Sequence, residues 1–313
     1  MEIALYVCLL LIGLGAALVA SEIAVSYTRA LAAGLGAPPF VVGVVLVALG
    51  TDLPEIANSI ASHLQDQGDV NVGDSVGSTL TQSTLVLGLF PLVAGTLIIS
   101  RRQVGFITAF TAGGLTLTAL LTLDGHLGRP DGLALIAAWA LATVATTRLL
   151  GGGTNDEPPR VRHDGKFAQA AVTLGALGLV GAGAGVAVFS LVRLAKAIGV
   201  PEFLLAFFGA SVGTSLPEII VDVTALRAGA PGIALGDALG SSLVDSTLSI
   251  GIGPAIAPAD VTARLAVVAS LYTLAAIVVV GAVLVARRRH DRVSAAVLFG
   301  LYALSYAVLL ELG

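Results

Sequence analysis

Two hexapeptides, GTDLPE at residues 50–55 and GTSLPE at 213–218, set a threonine, a proline and carboxylates in the middle of strongly apolar stretches. Thr51 and Glu55 are four residues apart, as are Thr214 and Glu218, Ser78 and Gln82, and Ser241 and Asp245. Residues at that spacing lie one turn apart on a single helical face, so four helices each offer two oxygen-bearing side chains. Pro54 and Pro217 lack an N–H and push aside the carbonyl four residues back. The loosened turns, including the carbonyls of Ala48 and Ser211, are expected to add neutral oxygens. Hydroxyl, carboxylate, amide and carbonyl oxygens with no nitrogen or sulfur make a site for a hard cation. A flexible cage of six to eight oxygens suits Ca²⁺, whereas Mg²⁺ demands a stricter octahedron and keeps its waters. Sodium is also served by carbonyls and carboxylates at interrupted helices.

The elements that must position these groups are membrane helices. Of 313 residues, 56% are hydrophobic and 12% charged, and the mean hydropathy is +0.97. The charged share is roughly half that of an ordinary soluble domain. Ten apolar runs can each cross a hydrocarbon core of ~30 Å: 3–27, 40–63, 71–98, 104–123, 131–150, 167–192, 201–226, 232–257, 265–286 and 293–312. Their continuity excludes a β-barrel, whose strands alternate over about 10 residues. The polar stretch GGGTNDEPPRVRHDGK, residues 151–166, reads as a linker between residues 1–150 and 167–313. Five helices per half is an odd number, so the second half enters the bilayer from the opposite side. Aligned at an offset of 163 residues, 36–88 and 199–251 share 18 identities in 53 pairs, including Gly50/Gly213, Thr51/Thr214, Pro54/Pro217, Glu55/Glu218, Asp74/Asp237 and Ser78/Ser241. Shared hydropathy would match Leu to Val, not Glu to Glu. The expected fold is an all-α integral membrane protein of ten transmembrane helices, arranged as two inverted five-helix repeats with motifs at 48–88 and 211–251. Interrupted helices at corresponding positions of inverted repeats place a binding site at the midplane.

Charge placement points the same way. Eight acids fall within the spans, Glu22, Asp52, Glu55, Asp74, Glu218, Asp222, Asp237 and Asp245, with no Lys or Arg at matching depth. A charge at the bilayer centre costs about 2.5–3.5 kcal/mol even on the lenient insertion scale, so the missing counter-charge is expected to be a cation or a proton. With the N-terminus outside, Arg29, Arg101, Arg102, Arg148, Arg160, Arg162, Lys166, Arg227, Arg287, Arg288, Arg289 and Arg292 all fall in inner loops, and Arg129, Arg193, Lys196 and Arg264 in outer ones. That bias places both termini outside a cell membrane. The opening MEIALYV has no basic n-region and reads as a retained helix. Cys8 is the single cysteine and is expected to pack as a small apolar residue. No CxxC or helical His pair is present, so no cofactor is expected; nor is a nucleic-acid partner.

The segments GTDLPEIANS with VGDSVGSTLTQSTLVLG, and GTSLPEIIVD with LGDALGSSLVDSTLSIG, resemble the two alpha repeats of the calcium/cation antiporter superfamily, in particular its prokaryotic sodium/calcium exchangers. The resemblance implies a cluster of sites between helices 2, 3, 7 and 8, alternately exposed as helices 1 and 6 slide across the core. It implies Glu55 and Glu218 as central carboxylate ligands, with Thr51, Ser78, Thr214, Ser215, Ser241 and Asp245 completing the sites. The chain departs from the family pattern at Asp52, where a second hydroxyl is usual; at Gln82, where Asn is usual; at Asp74 and Asp237, where Asn is usual; and at Asp222, in place of a small hydroxyl.

These departures add negative charge. Asp52, Glu55, Glu218 and Asp245 would set four like charges in low dielectric, so proton coupling becomes credible beside sodium coupling. The expected activity is exchange of sodium for calcium by alternating access, with proton-coupled exchange of calcium or another divalent cation as the alternative. A cation channel is disfavoured because the acidic cluster is complete in one chain, which is read as a monomer. An intramembrane aspartyl protease built on the Gly-Asp pairs 73–74 and 236–237 leaves the paired GTxLPE motifs unexplained. Glu22, Asp74, Asp222 and Asp237 are left without a role.

Overall fold

A computed structural model describes residues 2–151, 165–197 and 215–312. Most of the 151–166 linker, the first part of the expected seventh span, Ser211 and Thr214 lie outside the described residues. The helices are α1 (Glu2–Leu35), α2 (Pro39–Thr51), α3 (Leu53–Leu64), α4 (Gly68–Ala94), α5 (Arg101–Leu121), α6 (Arg129–Leu150), α7 (Lys166–Ala197), α8 (Leu216–Arg227), α9 (residues 231–256), α10 (Ala263–Arg287) and α11 (Arg292–Leu312). They follow the expected spans closely, with α2 and α3 sharing the second. Among the described residues, α1, α4, α5, α6, α7 and α10 are long and apolar enough to cross a membrane unaided, and the bent pair α2–α3 makes a seventh crossing.

Three span ends differ from the sequence reading by four residues or more, and one of them is α7, which runs past residue 192 to Ala197. α1 runs beyond residue 27 to Leu35, where Gly36 adopts φ +64° and ends it; a left-handed residue there closes a helix at little cost only when it is glycine. The third span ends at Ala94, and Leu97–Ile98 form a short strand instead. Cys8 is exposed on α1 rather than packed, and Glu22 is likewise exposed, apart from the other acids.

The inverted repeat is visible in local geometry. Asp52 and Ser215 occupy matching positions in the two halves and share one conformation, φ −81°, ψ 6° and φ −84°, ψ 7°. Asp52 interrupts its span, and both residues precede a helix with Pro54 or Pro217 in its first turn, where a missing N–H is harmless. The bend between α2 and α3 is 45°. Matching π-helical turns at Gln82–Val86 of α4 and Asp245–Ser249 of α9 begin at the paired polar residues. Four two-residue strands, β1 (Leu97–Ile98), β2 (His126–Leu127), β3 (Ala259–Asp260) and β4 (Arg289–His290), form two antiparallel ribbons. Leu97 pairs with His290 and Ile98 with Arg289, while His126 pairs with Asp260 and Leu127 with Ala259. Each ribbon ties a loop of the first half to a loop of the second.

The four helices α2, α4, α8 and α9 bury the centre, and α1 packs along α7 beside them. α1 meets α7 at Gly13 and Gly183, where an added Cβ on either would come within 2.7 Å of the other's carbonyl oxygen. Around the α9 turn, His63 Nδ1 lies 2.8 Å from Ala257 O and its Nε2 lies 3.0 Å from Asn71 Nδ2. The ring therefore donates through Nδ1 and accepts through Nε2, a neutral structural tautomer.

The β1–β4 end carries Arg101, Arg102, Arg287, Arg288, Arg289 and Arg292, while the β2–β3 end carries Asp124, Asp131 and Asp260 beside only Arg129 and Arg264. At the basic end Asp291 accepts from the N–H groups of Val293 and Ser294, both at 3.1 Å, and from Arg287 Nη2 at 2.6 Å. The Ser294 N–H, and then Arg287, hold its carboxyl down at about 2. A carboxyl whose folded value is depressed stabilises the fold above its unfolded value, near 4, and that contribution disappears as pH falls from about 4 to about 2. Thermal melts of Asp291→Asn and the parent protein between pH 2 and 7 are expected to differ at neutral pH and converge in acid.

Candidate cation site

Two helix starts, one in each half, deliver carboxylates to one place. Glu55 lies in the first turn of α3 and Glu218 in the first turn of α8. The unsatisfied N–H groups of a helix start carry partial positive charge, which favours an anion there. An oxygen of Asp52, one of Glu55 and one of Glu218 all lie within 4.8 Å of one another. The three residues are 0–1% exposed. Both oxygens of Glu55, both of Glu218 and Oδ2 of Asp52 receive no hydrogen bond from the described residues. Buried carboxylates without donors or basic partners demand a compensating charge.

The surrounding polar shell comes from the other helices. Gln82 Nε2 sits 3.5 Å from Asp52 Oδ1, leaving Gln82 Oε1 without a partner among the described residues. Asp245, which opens the α9 π-turn as Gln82 opens the α4 one, is fully buried within electrostatic reach of Asp52 and Glu55. A π-turn aims one side chain off the regular helical face, a device frequent at functional sites. Thr51 Oγ1 is 3.1 Å from Ala48 O, 3.2 Å from Asp237 Oδ1 and 3.4 Å from Ser241 Oγ. Ala48 O also accepts the Asp52 N–H at 3.0 Å, so both of its lone pairs are engaged in this conformation. Ser78, Ser215 and Ser241 are buried in the same core. Thr214 and Ser211 lie outside the described residues.

Three polar contacts escaped the sequence reading. Asn58 Nδ2 donates to Asp74 Oδ2 at 2.6 Å. Ser83 and Ser242 hydroxyls meet at 2.8 Å across α4 and α9, and Ser59 Oγ accepts the Gly253 N–H at 3.1 Å. The repeated Ser83/Ser246 identity marked that region, but nothing in the repeat pairs Ser83 with Ser242.

An all-helical membrane protein with inverted interrupted helices and a buried, uncompensated oxygen cluster belongs to the class of cation transporters. The family described as "Sodium/calcium exchanger protein" matches residues 5–148 and again 168–310, and the chain belongs to that family. It is 28% identical over 267 residues to "Inner membrane protein YrbG" of Escherichia coli (strain K12), covering 81% of this chain and 80% of that protein. It is 26% identical over 292 residues to "Sodium/calcium exchanger MaX1" of Methanosarcina acetivorans, covering 81% and 83%. The solved sodium-calcium exchanger NCX_Mj, soaked with 2.5 mM Na⁺ and 10 mM Sr²⁺, superimposes with a TM-score of 0.80 over 97% of this chain and 99% of that one, at 22% identity. The ten-helix inverted-repeat fold is thus shared, and the protein is a multi-pass cation exchanger of that family.

Proposed function

We propose that the protein exchanges sodium for calcium by alternating access at the Asp52–Glu55–Glu218 cluster. The observation that carries this reading is the approach of those three buried carboxylates within 4.8 Å, with no basic side chain among the described residues paired to them. Calcium and the counter-ion compete for the same oxygens, and occlusion requires a filled site because the naked charge is too costly to enclose. Thr51, Asp52, Glu55, Ser78, Gln82, Thr214, Ser215, Glu218, Ser241 and Asp245, with the Ala48 and Ser211 carbonyls, are the proposed ligands. Residues 1–150 and 167–313 act as the inverted repeats, joined by a cytoplasmic linker at 151–166. The basic β1–β4 end supports a cytoplasmic position for that end and both termini outside. A set of ligands drawn from one chain supports a monomeric transporter.

Asp52 favours a second reading. It adds a third carboxylate where Glu55 and Glu218 already meet, so a proton can serve as counter-ion in the same competition. Calcium uptake into proteoliposomes, driven at fixed membrane potential by an outward sodium gradient or an outward proton gradient, separates the two. Uptake with sodium alone is expected; uptake with protons alone overturns sodium coupling. If Asp52 holds an exchangeable proton, Asp52→Ser flattens the pH dependence of uptake, and an unchanged profile removes it from the coupling.

A further inference from the structure

The two halves treat their duplicated aspartates differently. Asp74 in α4 is half-buried and accepts the Asn58 amide from α3. Its partner in the repeat, Asp237 in α9, has no such donor, because Val221 occupies the position matching Asn58. The neighbouring Asp222 replaces Ser59 and faces Asp237 instead. Both aspartates are completely buried. Both oxygens of Asp222 and Oδ2 of Asp237 receive no hydrogen bond from the described residues. Two hydroxyls reach the pair, both at Asp237: Thr51 Oγ1, 3.2 Å from Asp237 Oδ1, whose single proton is shared with Val47 O and Ala48 O, and the Ser241 hydroxyl. The charged groups that act on the pair are other acids, Asp52 foremost.

Two facing carboxylates buried without a basic partner among the described residues, three of their four oxygens lacking a donor, are a charge that a cation or a proton must complete. The oxygens at hand are of the right kind: two carboxylates, the Thr51 hydroxyl and the Ser241 hydroxyl, which lies 3.4 Å from Thr51 Oγ1. Asp222 is one turn beyond Glu218 along α8, toward the end of that helix marked by Arg227 and by the Arg29 Nη1 bond to Ala228 O at 2.9 Å.

We propose that Asp222 and Asp237, with the hydroxyls of Thr51 and Ser241, form an accessory divalent-cation site beside the Asp52–Glu55–Glu218 cluster, displaced toward the Arg29–Arg227 end. Two carboxylates match a doubly charged ion. The flexible mixture of carboxylate and hydroxyl oxygens, completed by water, suits calcium better than magnesium. The site holds calcium on the path between the central cluster and that end of the protein.

The test is calcium titration of the purified full-length protein by isothermal calorimetry, comparing the parent, Glu55→Gln/Glu218→Gln, Asp222→Ser, and the triple variant. Serine stands at the matching position of the first half, so Asp222→Ser is compatible with the local packing; Asp237→Asn provides a second, isosteric probe. With the central cluster disabled, one saturable calcium site per chain is expected to remain, and it is expected to vanish on adding either Asp222→Ser or Asp237→Asn. The proposal falls if Glu55→Gln/Glu218→Gln binds no calcium. It falls equally if the remaining binding survives both changes, or if Asp222→Ser raises thermal stability without altering calcium stoichiometry, the result of a pair that merely shares a proton. Sodium-driven uptake by the parent protein tests the exchange reading separately, because neither result depends on the other.

Discussion

Glu55→Gln and Glu218→Gln are each expected to reduce calcium uptake in proteoliposomes by at least about 100-fold while leaving a folded, monodisperse protein. Glutamine keeps the size of the side chain and an oxygen in place, so the first turns of α3 and α8 remain packed. What disappears is one negative charge among three that lie within 4.8 Å. At a separation of ~4 Å and an effective dielectric near 20, a unit charge pair is worth about 4 kcal/mol, and a divalent ion feels the loss twice over. Even after relaxation takes back half of this doubled figure, about 4 kcal/mol remains, which exceeds the ~2.8 kcal/mol of a hundredfold change in affinity. The wild-type cluster is strained when empty, because both oxygens of each glutamate are buried without donors. Removing one charge therefore raises the thermal stability of the ion-free protein and shrinks the stabilisation that added calcium gives, which follows from binding linkage. Uptake near the parent rate by either variant would remove the cluster from the transport cycle. Loss of transport with unchanged calcium stabilisation would place these residues in conformational coupling and not in ligation.

The site was legible to the extent that duplication made it so. Glu55/Glu218, Thr51/Thr214 and Gln82/Asp245 announce themselves because chance does not repeat oxygen-bearing residues at one offset inside apolar helices. The repeat also predicts that the matched pairs share local geometry, and Asp52 and Ser215 do so within a few degrees. What a repeat cannot convey is where the halves differ. Asn58 to Asp74 is a contact between helices of one half with no counterpart in the other, where Val221 and Asp222 stand at the matching positions, and only the structure reveals that one acid is satisfied and the other is not. The π-turns at 82–86 and 245–249 have no signature in hydropathy, since they alter the rotation of a helix without altering its composition. The outward position of Cys8 is illegible for a related reason: in lipid both faces of a helix are apolar, so the pattern that separates core from surface in water carries no information. The added strands β1–β4 and β2–β3 are too short for any alternation to mark them.

A neighbouring pair of glycines in α5 tests how tightly the ligand-bearing turn is held. Gly113 is exposed and an added Cβ would meet nothing within 4 Å. One residue on, a Cβ at Gly114 would lie 2.6 Å from Thr247 Cγ2 and 3.0 Å from both Ser246 O and Ser246 Oγ. Ser246 and Thr247 belong to the π-turn that Asp245 opens, so α5 is the wall against which that turn is set. Gly114→Leu must push the wall or the turn aside. Overpacking of this kind costs about 1–3 kcal/mol, and because the obstruction includes backbone, the effect falls at the upper end. Displacing the turn moves Asp245 relative to Glu55, and an ion cage held by several oxygens tolerates little movement of one of them. The expected result is a lower melting temperature together with calcium binding weakened by roughly tenfold, about 1.4 kcal/mol. Gly113→Leu, one position away on the same helix, presents an apolar side chain outward and is expected to leave both quantities near the parent values. Equal effects from the two substitutions would mean that helix α5 responds to bulk in general and that the π-turn is not what Gly114 protects.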